Sequence, residues 1–267
     1  MYNYNGCKQP KKDIRDYKLS KAACVSRLPS TYIAEPVMRV KDQGGVCSCV
    51  AHATSSILEY HARKEGQDVT LSTNFIYGAE HELFAENTPG MYLNNACKIV
   101  TKYGDVLEKD CPGNTEIEKV YDVAKKVFDD EEKLLSGQQF KMKSYFDCKN
   151  NEAIKQAIYS YGPVLASIKW YNTFTPDDQS VLTGEQTGDY GYHAVMIYGW
   201  THEGFVCQNS WGKNWGAVGR FVLPYSIKVR QAKGFIDDDS KLIKPPRNSI
   251  FDFFYKIINI IINMFNK

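Results

Sequence analysis

Apolar and small residues recur at helical spacing from Cys49 onward, through Ala53, Ile57, Leu58 and Tyr60, and predict a helix that follows the turn at Gln43-Gly44-Gly45. The same period predicts a second helix over Asn94–Tyr103, closed by Gly104, and a third within Thr115–Leu135. In the third, Ile117, Val120, Ala124, Val127 and Phe128 share one face, and the acidic stretch Asp129–Glu132 reads as a solvated one. After Gly137 the pattern changes. Asn151–Tyr161 is a short amphipathic helix stopped by Gly162. Strand-like runs then follow at Val164–Trp170, Ala194–Trp200, Phe205–Asn209 and Arg220–Leu223. A helix-rich first half and a strand-rich second half predict an α+β protein of two lobes, about 28–140 and 141–236.

The ends differ from this body. Residues 1–27 are polar and net basic, and read as an N-terminal extension packing along the main domain, 28–236. Residues 237–249 have linker chemistry. In 250–267 the polar residues Asp252, Lys256, Asn259, Asn263 and Asn266 fall on one stripe of a helix, the rest before the terminal Lys267 being Ile, Phe, Tyr and Met. Its longest unbroken apolar run is three residues, far short of the roughly 18 a spanning helix needs. Such a tail calls for a surface: its own body, a second copy, a partner protein or a membrane face.

Composition narrows the class. The 267 residues are 43% hydrophobic and 24% charged, enough to build a core and too apolar for a disordered chain. A net charge of +2 gives no global field for nucleic acid, so no nucleic-acid partner is expected. The first residues carry scattered lysines and no apolar h-region of roughly 7–15 residues, so no secretory signal is read and a cytoplasmic location is expected, with peripheral membrane or virion association left open. In that setting the eight cysteines are expected as reduced thiols. Cys47 and Cys49 lack the second Cys/His pair of a zinc site, and no metal or cofactor is expected.

Four residues form a constellation for thiol catalysis. Cys49 stands where a turn feeds a helix, whose N-terminal amides and partial positive charge favour thiolate over thiol. Gln43, six residues earlier, offers an amide donor that could join the Cys49 amide in stabilising an oxyanion. His193 opens a strand, where an imidazole can serve a cleft as base. Asn209, sixteen residues later, could hold that imidazole in one tautomer.

At these positions the chain resembles the papain-like cysteine peptidases. Gln43-Gly44-Gly45-Val46-Cys47-Ser48-Cys49-Val50-Ala51 is similar to the family's nucleophile signature. Tyr192-His193-Ala194-Val195 resembles its histidine motif, and Gln208-Asn209-Ser210-Trp211-Gly212 its asparagine motif. The separation of 144 residues between Cys49 and His193 fits the roughly 130–150 of papain-type enzymes. The resemblance spans about Leu28 to Ile236 and implies a two-lobed fold, a helical left lobe and an antiparallel, barrel-like β lobe with the active-site cleft between. It implies catalytic roles for Cys49, His193, Asn209 and Gln43, and a polypeptide substrate. The lead-in at Asn5-Gly6 is similar to that of bacterial and viral members lacking a long propeptide.

Departures from the family pattern are informative. The usual disulfide-forming Cys is Val46, and the Trp after the nucleophile is Val50. Paired glycines that bind substrate backbone correspond to Gly90-Met91, with Tyr92 and Leu93 on the pocket wall and Tyr192, Ala194 and Trp211 on the histidine side. The implied activity is endopeptidase cleavage through a Cys-His-Asn triad and a thioester. The alternatives are a cell-wall peptide amidase or transpeptidase with the same triad, and a catalytically silent binding protein.

Overall fold

The computed structural model describes residues 5–8, 27–86, 88–113 and 117–237. The linker from residue 238 on and the amphipathic segment 250–267 lie outside the described residues, as does most of 1–27.

The first half is helical: α1 (Cys49–Lys64), α2 (Thr73–Phe84), α3 (Leu93–Lys102), α4 (Ile117–Phe128) and α5 (Glu131–Ser136). The period-based expectation places the start of α1 at Cys49, as observed, and both ends of α3 within one residue. The single helix expected within 115–135 is two, because Asp130 leaves helical geometry and its carboxylate caps α5 at the Lys133 amide. Part of the acidic stretch is therefore a helix start and not only a wet face. Helix α2 carried no periodic signal, since every residue from Thr73 to Glu80 is buried and no polar stripe marks one side.

The second half builds an antiparallel sheet. Its strands are β2 (Ser144–Asp147), β3 (Val164–Tyr171), β6 (Tyr190–Trp200), β7 (Gly204–Gln208), β8 (Arg220–Pro224) and β9 (Val229–Ile236), in the order β2-β9-β3-β6-β7-β8. A small pair, β4 (Thr175–Pro176) with β5 (Leu182–Thr183), stands apart, and α6 (Asn151–Tyr161) packs on β9. Strand β1 (Tyr32–Ile33) pairs with the end of β6, Tyr32 opposite Trp200. Residues counted with the helical half therefore complete the sheet. Strand β6 also begins four residues earlier than the apolar run at Ala194 suggested, because Tyr190–His193 continue the ladder with β3.

Helix α1 joins the two halves. Cys49 through Ala62 are all buried, with α2 and α3 on one side and β6 and β3 on the other. Two of its polar side chains are paired inside this interface. Glu59 accepts the Leu71 amide at 2.8 Å and the Lys41 ammonium at 2.8 Å, and Thr54 donates to the Val50 carbonyl. A buried carboxylate–ammonium pair held this way fixes the loop before Gln43 to the middle of α1.

Candidate active site

Cys49 is the first residue of α1, and its sulfur has no solvent exposure. The Ala194 amide, on β6, donates to it at 3.4 Å. The strand thus meets the sulfur through its backbone, whereas Ala194 was expected only on the pocket wall. Antiparallel pairing with β3 sets this approach: Ser167 stands opposite Ala194, and Ile168 opposite His193.

His193 is fully buried, and its Nε2 lies 2.7 Å from Asn209 Oδ1. That oxygen also accepts the Ser210 backbone N–H at 2.8 Å. A backbone N–H can only donate, so the shared atom is the amide oxygen and the imidazole proton sits on Nε2. Nδ1 then carries the free lone pair, and among the described residues it has no hydrogen-bond partner. Aromatic rings enclose the imidazole. Trp211 lies 4.7 Å away at 33°, and Trp170 stands edge-on at 5.3 Å. Trp170 carries no family motif and was not singled out in the sequence.

Gln43 is held at both ends of its amide: Nε2 donates to the Val46 carbonyl at 2.8 Å, and Oε1 accepts from Ser210 Oγ at 2.6 Å. Its backbone N–H also donates to the Ser210 carbonyl at 2.8 Å. Ser210 therefore ties the loop bearing Gln43 to the segment bearing Asn209. Nothing in the spacing of the motifs revealed this cross-link.

Burial opposes the thiolate that a helix N-terminus favours. Loss of water pushes the Cys49 thiol up to about 12, and the amides of Ala194, Val50 and Cys49 offset only part of that. Burial likewise pushes His193 down to about 4, against the opposing effect of Asn209. Both shifts run toward the neutral forms.

The residues expected to bind substrate gather along one strip. Gly90 has φ 96°, in the left-handed region open to glycine, and its amide donates to Tyr77 Oη at 3.1 Å. The Tyr92 amide and the Asn95 side chain both donate to Glu80 Oε1 at 2.9 Å. Tyr77 and Glu80 belong to α2, so the helix that periodicity missed positions this strip. Burial lifts the Glu80 carboxyl to about 7. Met91 and Leu93 are buried, Leu93 as the first residue of α3. Facing the strip, the Tyr192 carbonyl accepts a main-chain N–H from the N-terminal segment, as does that of Met91.

Among the described residues every cysteine is a free thiol, and no cluster of His, Cys, Asp and Glu could hold a metal ion. No helix among them is long and apolar enough to cross a membrane. Cys47 is partly buried, two residues before the buried Cys49.

Comparison with known proteins gives a consistent picture. The family described as papain family cysteine protease matches residues 30–233. A viral cathepsin of Adoxophyes honmai nucleopolyhedrovirus is 28% identical over 195 residues, 71% of this chain and 54% of that protein. Falcipain-2a of Plasmodium falciparum is 24% identical over 199 residues, 68% of this chain and 38% of that one. The chain thus spans about half the length, or less, of these curated relatives. Among solved structures, xylellain, a cysteine protease from Xylella fastidiosa, shares the fold with a TM-score of 0.75 at 19% identity, covering 89% of this chain and 98% of that one.

Proposed function

The chain belongs to the papain family of cysteine proteases, and on that premise we propose that it hydrolyses peptide bonds through Cys49, His193 and Asn209. The observation that carries the reading is the shared Asn209 oxygen, which leaves the base nitrogen of His193 unprotonated.

The chemistry follows from that tautomer. Nδ1 of His193 takes the Cys49 proton, and the sulfur attacks the substrate carbonyl carbon. The Cys49 amide and the clamped Gln43 amide donate to the oxygen as it becomes negative. His193, now charged and held by Asn209, gives its proton to the leaving amine, and a thioester remains. Water, deprotonated by the same Nδ1, attacks the thioester and frees the acid and the thiol. The strip Gly90–Leu93 takes the substrate main chain, Tyr192 and Ala194 line the opposite wall, and Trp211 keeps water from the Asn209–His193 bond. The likenesses to a viral cathepsin and to xylellain support placing the chain near bacterial and viral members of the family.

The test is direct. Cys49→Ala is expected to abolish cleavage of an unfolded protein and of short peptides under reducing conditions, while Cys47→Ser retains it. Unchanged turnover in Cys49→Ala removes the assignment. Release of cell-wall peptides with no cleavage of protein transfers the same triad to the amidase alternative.

A further inference from the structure

Tyr77 and Glu80 stand one turn apart on α2 and hold the main chain on either side of Met91. The Gly90 amide donates to Tyr77 Oη at 3.1 Å, and the Tyr92 amide to Glu80 Oε1 at 2.9 Å. Met91, between them, pairs away from the helix: its amide donates to the Gly6 carbonyl at 2.8 Å, and its carbonyl accepts the Lys8 amide at 2.9 Å. The same extended stretch donates from Cys7 to the Tyr192 carbonyl at 3.0 Å, so both backbone groups of Met91 are turned toward the histidine side of the cleft. The base of this clamp is firm. A Cβ at Gly78, between the two side chains, would overlap that of Ala124, so α2 lies hard against α4.

The two oxygens of Glu80 are unequal. The residue is 2% exposed, and Oε1 accepts twice, from the Tyr92 amide and from Asn95 Nδ2, each at 2.9 Å. Oε2 is buried and has no hydrogen-bond partner among the described residues. A proton can therefore enter at Oε2 without breaking either bond. What changes is the strength of Oε1 as an acceptor, because a hydrogen bond to a carboxylate is roughly twice as strong as one between neutral groups.

We propose that Glu80 is a positioning residue for the substrate: its charge sets how firmly the strip Gly90–Tyr92 is held to receive a peptide main chain. The inference rests on the reading of Cys49 as nucleophile and of this strip as the substrate's partner. Burial is the chief cause that lifts the carboxyl to about 7; the bonds from Tyr92 and Asn95 and the Lys8 ammonium oppose it, and Glu86 adds to it. Tyr77, Tyr121 on α4 and Cys7 also feel its charge. As pH falls through about 7, Oε1 weakens and the strip loosens, and part of the binding free energy of a peptide goes into ordering it. The strip holds substrate and transition state alike, so the loss falls on KM and not on kcat.

The experiment measures kcat and KM on the full chain under reducing conditions, between about pH 5.5 and 8.5, with a peptide whose ends are blocked and whose side chains do not titrate. In the parent, KM is expected to fall about three- to tenfold as pH rises through about 7, with no matching step in kcat. Glu80→Gln keeps an oxygen for both donors and cannot ionise, and should hold the parent's acid-side KM at every pH. Asn95→Ala removes a bond that favours the ionised form, and should move the midpoint of the KM step to higher pH. A merely structural role would move none of these midpoints. The Tyr92 amide, followed by NMR, reads the same step without turnover. Should Glu80→Gln fail to fold, the parent profile and its shift in Asn95→Ala decide. Peptide cleavage with a flat parent KM, or with a step that persists in Glu80→Gln, keeps the peptidase and overturns the role of Glu80. A step at the Tyr92 amide with no cleavage in any form keeps the clamp and removes the peptidase reading.

Discussion

His52 and His193 are both buried, and burial drives both down to about 4, yet their chemistry is opposite. His52, in the first turn of α1, has Nδ1 3.0 Å from the Ser48 carbonyl and 3.2 Å from Ser48 Oγ. A carbonyl can only accept, so its proton sits on Nδ1 and the ring serves to tie one helical turn together. At His193 the shared Asn209 oxygen draws the proton to Nε2 and leaves Nδ1 bare. Burial and charge alone do not separate a structural histidine from a base. What separates them is which nitrogen the neighbours use.

The comparison breaks most visibly at His193 itself. His193→Ala is expected to lower kcat/KM for peptides by about 10³- to 10⁴-fold, since the nucleophile loses its base while the fold and the oxyanion donors remain. The check is steady-state turnover alongside a thermal melt. A variant within tenfold of the parent would make His193 another structural ring, like His52.

The constellation was legible because the residues that carry it lie in short motifs whose spacing survives. Gln43 and Cys49 flank one turn, and Asn209 and Ser210 are adjacent. What surrounds it was not. The strip at Gly90–Tyr92 is held by Tyr77 and Glu80, on a helix whose buried first eight residues leave no amphipathic signature. Strand β9 was missed for a related reason. Its run includes Lys233, 1% exposed and paired with Asp147, so a charge sits where a strand pattern expects an apolar residue. The bridge of Cys7 to Met91 and its bond to Tyr192 join residues far apart in sequence, and no local pattern encodes such contacts.

A smaller change sharpens the tautomer argument. Asn209→Ala keeps the base but releases its proton from Nε2 control, and it removes a hydrogen bond to the imidazolium formed during turnover. Hydrogen bonds to charged partners are worth about 1.5–3 kcal/mol, so kcat should fall roughly ten- to hundredfold. Asn209→Asp offers an oxygen to Nε2 as well, and should recover part of the loss with a pH–rate profile moved toward higher pH, because a carboxylate favours the charged ring. Equal losses in both variants would mean that Asn209 acts through packing under Trp211 and not through its oxygen.

The smallest effect belongs to His52, and it appears in stability and not in rate. The folded value of about 4 lies below the ordinary value of 6.5, so between these limits the unfolded chain binds more protons than the folded one. Stability therefore rises with pH through this window, and is lost as pH falls from about 6.5 toward 4. His193 contributes in the same direction. A shift of this size corresponds to a loss on the order of 3 kcal/mol for each ring at the acid end, from 1.36 kcal/mol per pKa unit. His52→Gln, which retains a donor for the Ser48 carbonyl and cannot titrate, should flatten the melting temperature against pH by about half while turnover at pH 7 stays within about twofold. If acid sensitivity is unchanged in that variant, proton uptake at other groups governs the acid transition, and the likeness between the two buried rings ends at their exposure.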